Sequence, residues 1–134
     1  MEASVRRGDQ LRYLVDGMNL IGSRPDGWWR DRPAARRALV AKLAPLVAAH
    51  DIVVVFDGRA EPGEVEEAAE QDIVVRFAPG GPNAADEAIV ETVEHADDPA
   101  SICVVSSDGA LVGRVTALGA EVRGTGSFRR LLGD

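Results

Sequence analysis

The sequence is poor in several things that would define other kinds of protein. It has one cysteine, Cys103, within an apolar run. A single thiol cannot form an internal disulfide, which suits a reducing compartment, and this one reads as a small buried hydrophobe. No apolar stretch approaches the roughly 18 residues that a membrane-spanning helix needs. Residues 1–10 are polar and lack a signal-peptide core, so they are expected to form a flexible leader and the protein to be cytoplasmic. There is no excess of positive charge: the net charge is −7. That argues against a protein that coats nucleic acid without regard to sequence, but a cluster of metal-binding acids would itself contribute to the deficit. Lysine is nearly absent, with fourteen arginines against Lys42 alone, a bias that genomic base composition can explain. No convincing side-chain nucleophile is present, and the two histidines, His50 and His95, fall at distant helix ends.

What is present is a repeating unit: an apolar run that ends in an acid. Leu11-Arg12-Tyr13-Leu14-Val15 ends in Asp16-Gly17-Met18-Asn19, and Ile52-Val53-Val54-Val55-Phe56 ends in Asp57-Gly58. Ile102-Cys103-Val104-Val105 ends in Ser106-Ser107-Asp108. Short apolar runs bounded by turn residues read as buried strands. A more polar strand over 72–78 is expected at an edge, and a short one over 121–123. Between them the spacing predicts a loop over 17–32 and a helix over 34–49 that Pro45 shortens. It also predicts an acidic surface connection over 59–71 with one helical turn near 64–69. A helix from Asn83 to about residue 96 is expected, with Asn83 as a candidate cap, then one over 109–118 stopped by Gly119 and a final turn over 127–132. The 134 residues suffice for one domain, 11–134, able to bury about two thirds of its unfolded surface. Alternating strands and helices predict an α/β fold with a parallel sheet flanked by helices. Acids on strands one, two and four can meet only if those strands are neighbours, which the order 3-2-1-4-5 satisfies.

Asp16, Asp57 and Asp108 then share the carboxyl rim of the sheet. Asp86 joins them by a helix argument. Ile89, Val90 and Val93 lie three, four and seven residues on, so Asp86 sits on the core-facing stripe of its helix, whereas Glu87 falls to the solvated side. Crowded carboxylates call for a cation, and an all-oxygen donor set suits Mg²⁺ or Mn²⁺ rather than zinc. Such ions support hydrolysis of phosphodiesters without a protein nucleophile. Ser106 and Ser107, at a helix start, are candidates either for binding a phosphate oxygen or for capping that helix. The densest basic stretch follows the first acid directly and holds Arg24, Trp28, Trp29, Arg30, Arg32, Arg36 and Arg37. Its arginines suit phosphates, and an exposed Trp suits a base.

Four segments together resemble the YacP-like NYN domains of the PIN-like nuclease superfamily. They are Tyr13-Leu14-Val15-Asp16-Gly17-Met18-Asn19-Leu20-Ile21-Gly22, Val54-Val55-Phe56-Asp57-Gly58, Ala85-Asp86-Glu87-Ala88-Ile89 and Val104-Val105-Ser106-Ser107-Asp108. The resemblance spans about residues 11–125. It implies a PIN-like three-layer domain and a metal-dependent ribonuclease, endonucleolytic in RNA processing or decay. Asp16 would be the central ligand, Asp86 and Asp108 would complete the site, and Asp57 would line the rim. Asn19 would hold a carboxylate or the scissile phosphate. The chain departs from the pattern in two places. Gly109, Ala110 and Leu111 follow Asp108 where many PIN-like sites carry a further acid. Asn83-Ala84 precede Ala85-Asp86 where a hydroxyl residue is often found. The site is thus lean, and a non-catalytic RNA- or phosphate-binding module of the same fold is the alternative. RNA is the expected partner, approached with help from a structured RNA, a ribonucleoprotein or a docking partner. A receiver domain is excluded because strand one ends in one acid and Lys42 lies in the first helix. A dinucleotide-binding site is excluded because Gly17 to Gly22 lacks the glycine fingerprint.

Overall fold

β1 (Arg12–Asp16), β2 (Asp51–Asp57), β3 (Val74–Ala78), β4 (Ile102–Val105) and β5 (Glu121–Arg123) form one sheet in a computed structural model that describes residues 11–134. The leader expected over residues 1–10 lies outside the described residues. The strand order is β3-β2-β1-β4-β5, and each neighbouring pair is parallel. This is the expected topology, with β1 central and β3 at an edge. Among the described residues no helix is long and apolar enough to cross a membrane.

Successive strand residues point to opposite faces, and the two faces are covered separately. Tyr13, Val15, Ile52, Val54, Phe56, Cys103 and Val105 face one layer. That layer contains α1 (Gly17–Gly22), α2 (Arg32–Leu43), α3 (Glu64–Glu70) and α6 (Thr125–Leu131), which contribute Leu20, Leu39, Leu43, Ala68 and Phe128. Leu14, Val55, Ile102 and Val104 face the other layer, where α4 (Ala84–Glu94) and α5 (Gly109–Ala117) bring Ile89, Val90, Val93, Leu111 and Val115. Cys103 is 3% exposed and burial pushes its thiol up to about 11, so it packs as a hydrophobe.

Two departures from the expected elements have physical causes. Residues 17–22 form α1, not loop, and Trp28–Arg30 form a 3₁₀ turn. Glycines at both ends make α1 a weak helix by propensity. Burial of Leu20 and Ile21 in the first layer outweighs that weakness. The connection over 59–71 is likewise more than solvated surface, because Glu64 of α3 is 4% exposed. Pro45 acts as expected: α2 ends at Leu43 and a 3₁₀ turn, Ala44–Leu46, follows.

α1 lies hard against the sheet. A Cβ on Gly17 would sit 2.4 Å from the Phe56 ring and 3.0 Å from Val54 Cγ1. Gly113 within α5 has nothing within 4 Å of the same position. Gly17→Ala should therefore lower stability by about 1–3 kcal/mol through overpacking. Gly113→Ala should raise it by up to about 1 kcal/mol through helix propensity. Urea unfolding of the two variants checks both signs.

Candidate active site

Parity of the strands brings the site together. Asp16 continues the Leu14 series, Asp57 the Val53–Val55 series and Ser106 the Ile102–Val104 series. All three therefore face the α4 and α5 layer at the carboxyl ends of adjacent strands. Asp16 is 5% exposed and Ser106 fully buried. The Ser106 hydroxyl donates to Asp16 Oδ2 at 2.9 Å, with Asn19 Oδ1 as its more distant acceptor at 3.3 Å. It accepts from the Asp108 backbone N–H at 3.0 Å. Asn19 Oδ1 also accepts from the Ser107 N–H at 2.9 Å. Because that backbone donor is fixed, it assigns the Asn19 amide oxygen and so the amide's orientation. Ser107 closes the arrangement from behind. Its hydroxyl accepts from the Thr125 N–H and bonds the Thr125 hydroxyl, both at 2.9 Å.

These contacts correct the phosphate role expected of the Ser106 hydroxyl, whereas Ser107 is exposed. Ser106 has no surface, and its oxygen is spent on Asp16 and Asp108. The Ser107 hydroxyl is engaged by Thr125. Neither serine caps α5; Asp108 does so, its Oδ1 accepting from Ala110 N–H at 3.0 Å and Leu111 N–H at 3.1 Å. Asn83 makes no side-chain cap for α4. That part is taken by Asp57, whose Oδ1 accepts the Ala85 N–H at 3.2 Å from the neighbouring strand end.

Asp86 stands in the first turn of α4, half-buried, and its carboxylate accepts no hydrogen bond from the described residues. Burial raises its pKa, and so do the charges of Asp108 and Asp57. Asp16 is pushed up to about 6, by burial first and then by Asp86 and Asp108, against the pull of the Ser106 hydroxyl. The four acids thus press on one another, and Glu87 stands aside in an exposed pair with Arg114. Among the described residues no three His, Cys, Asp or Glu side chains are drawn close enough together to hold a metal ion. In donor type the set nevertheless suits a hard divalent cation: every candidate is a carboxylate, and two are held at raised pKa partly by other carboxylates. The histidines are occupied elsewhere, His50 with the Leu11 backbone and His95 with the Glu91 carbonyl.

The basic stretch divides. Arg24, Arg30 and Arg32 are exposed beyond the far end of α1. Arg36 is not, which corrects its expected RNA contact. It is 7% exposed, binds Glu64 through Nε at 2.6 Å and Nη2 at 2.9 Å, and stacks over Phe77 at 5.1 Å. Arg37 is likewise paired, with Glu61 and Glu67. Of the two tryptophans, Trp29 is the exposed one. Trp28 is half-buried against the core with Arg32 over its ring at 4.9 Å, whereas Trp29 is 49% exposed with Arg30 at 5.9 Å. Sequence reasoning missed Thr125. It carries no local signal, because its partner Ser107 lies eighteen residues away.

The fold has counterparts among known proteins. Among solved structures, Rae1 (YacP) from Bacillus subtilis superposes with a TM-score of 0.72 at 25% identity, over 91% of this chain and 73% of that one. A mutant form of the same protein gives a TM-score of 0.72 at 24% identity, over 92% and 76%. No curated protein matches significantly. The fold is PIN-like and nuclease-like, of the kind related to ribonucleases. The family model described as the YacP-like NYN domain matches residues 13–132, the span that carries all four acids, and the chain belongs to that family.

Proposed function

We propose that this chain is a divalent-metal-dependent ribonuclease that hydrolyses RNA phosphodiester bonds within the strand, in cytoplasmic RNA processing or decay. The observation that carries this reading is that Asp16, Asp57, Asp86 and Asp108 lie along one rim, where the neighbouring acids help to raise the pKa of Asp16 and of Asp86. Asp16 and Asp86 are the ligands proposed for Mg²⁺ or Mn²⁺, with the uncapped oxygens of Asp57 and Asp108 beside them. A bound ion would lower the pKa of a coordinated water and offset charge on the phosphate, so that in-line attack leaves 5′-phosphate and 3′-hydroxyl ends. The residues do the positioning. Ser106 locks the Asp16 carboxylate in place through a bond that water cannot reach. With Asn19 Oδ1 held by the Ser107 N–H, its NH₂ is the donor proposed for a phosphate oxygen. Arg24, Arg30, Arg32 and the exposed face of Trp29 offer phosphate contacts and a base-stacking surface next to the site.

One observation favours a second reading, an RNA-binding module without turnover. No acid follows Asp108 before Glu121, and among the described residues no three carboxylates are gathered as they stand.

With Mn²⁺ or Mg²⁺ an end-labelled RNA should be cut internally, and Asp16→Asn or Asp86→Asn should each slow cutting at least about a hundredfold. Retention of RNA binding by an inactive wild type would establish the binding module instead. Asp16 also makes a stability prediction in the absence of divalent ions. Its carboxyl titrates near 6 in the fold against 3.8 ordinarily, so the protonated form favours folding, and that contribution is lost as pH rises from about 4 through 6. Asp16→Asn cannot ionise and should exceed the wild type in stability at pH 7.5 by about 1–3 kcal/mol, with the gap closing at pH 4, as read by urea unfolding. Arg36→Ala should cost about 3 kcal/mol by stranding the buried Glu64 carboxylate, while RNA affinity of the folded protein stays unchanged in a filter-binding assay.

A further inference from the structure

A cavity of about 330 Å³ opens between α1, the Trp28–Arg30 turn, α2 and the turn that follows α6. One wall is apolar, formed by Leu20, Ile21, Ala35, Leu39 and the Trp28 ring. Facing it, three cations surround one carboxylate. Lys42 Nζ binds Asp134 Oδ1, Arg129 Nη1 binds Oδ2 at 2.9 Å, and Arg24 Nη2 lies 4.0 Å from the same oxygen. The Asp134 side chain is 5% exposed. It is delivered by a turn that closes α6: Gly133, at φ +84°, donates to the Arg130 carbonyl, and Asp134 donates to the Arg129 carbonyl. Two further acids line the cavity but do not meet these cations. Asp31 caps α2 through the Ala34 N–H, and Asp26 accepts no hydrogen bond from the described residues.

The parts are those a nucleotide requires. A carboxylate held by three cations occupies a position where a phosphate has more charge to offer. The apolar and indole wall suits a base, and the Asp26 carboxylate is an unused acceptor for base N–H groups. The place fits as well. Leu20 and Ile21 belong to α1, which begins directly after Asp16 and at six residues is about 9 Å long. Arg129 ties the cavity to that helix by donating to the Leu20 carbonyl at 2.6 Å and Ser23 Oγ at 2.7 Å. The cavity and the acidic rim are thus the two ends of one short helix, a span that a short single strand covers.

We propose that this cavity is a nucleotide subsite beside the acidic rim. It takes the phosphate of a residue flanking the scissile bond on Lys42, Arg129 and Arg24, and the Asp134 carboxylate fills that position until RNA displaces it. The choice of ligand rests on the ribonuclease reading. The test is a titration of the full chain with guanosine 5′-monophosphate in EDTA, followed by backbone amide shifts. Shifts are expected at Trp28, Ala35 and Leu39 rather than at Asp86 and Asp108. Asp134→Asn should tighten binding about tenfold by removing the competing charge, and adding Lys42→Met should abolish the gain. Equal affinity of Asp134→Asn and wild type, or shifts confined to the acidic rim, overturns the subsite. Should Asp134→Asn fail to fold, the wild type decides: Lys42→Met must remove the shifts at Trp28 and Leu39, and their persistence overturns the subsite. A chain that cuts RNA but shows no such shifts loses the subsite and keeps the nuclease. One that binds the nucleotide here but cuts nothing keeps the subsite and loses the nuclease.

Discussion

The hydroxyl of Ser106 is the joint on which the acidic rim turns. It is fully buried, donates to Asp16 and accepts from the Asp108 backbone, and so couples the end of β1 to the start of α5. A buried carboxylate without a donor is costly, and Asp16 has the Ser106 hydroxyl and the Asn19 backbone N–H against its burial and the repulsion of two neighbouring acids. Every other part of the rim is arranged around that unfavourable charge. Asn19 reaches across from α1 to hold the Ser107 N–H, Thr125 braces Ser107 from behind, and Asp57 and Asp108 each give one oxygen to a helix start. The result is a set of acids of which Asp16, Asp57 and Asp108 are held by backbone donors, while Asp86 feels only the more distant charge of Arg114 against its acidic neighbours.

Stability and site are therefore built from different materials. The two helical layers bury Phe56, Phe128, Leu43 and Ile89 completely, and each such side chain contributes about 1.5–3 kcal/mol. The Arg36–Glu64 pair ties α2 to α3 under the same layer. That reserve is what allows the rim to hold ionised groups in poor surroundings. It also explains why the arginines after β1 do not act as one set. Arg36 faces the layer and becomes an internal strut, Arg37 is spent on surface pairs with Glu61 and Glu67, and Arg24, Arg30 and Arg32 stay exposed.

The strands, their order and the placing of Asp16, Asp57 and Asp86 on the α4 side of the sheet's carboxyl rim were legible because they follow from periodicity. An apolar run ending in an acid places that acid at the rim, and the stripe of Ile89, Val90 and Val93 turns Asp86 inward. What was not legible depended on contacts distant in sequence. α1 exists because Leu20 and Ile21 find a core, not because Gly-Met-Asn-Leu-Ile-Gly favours a helix. Arg36 looked like its neighbours until α3 brought Glu64 to it. The serines looked like phosphate ligands because a hydroxyl at a helix start has several possible uses, and only the surrounding partners select one. Which Trp faces outward was equally undetermined by spacing, since the two are adjacent.

The shared parity of Asp16, Asp57 and Ser106 has an evolutionary consequence. Each reaches the α4 side of the sheet only because an even number of steps separates it from the last apolar residue on that face. Insertion or deletion of one residue inside β1, β2 or β4 would swing its polar group to the opposite layer and dismantle the rim without unfolding the sheet. Length variation among descendants of this chain is thus confined to the connections. Drift in the strands must proceed by substitution alone.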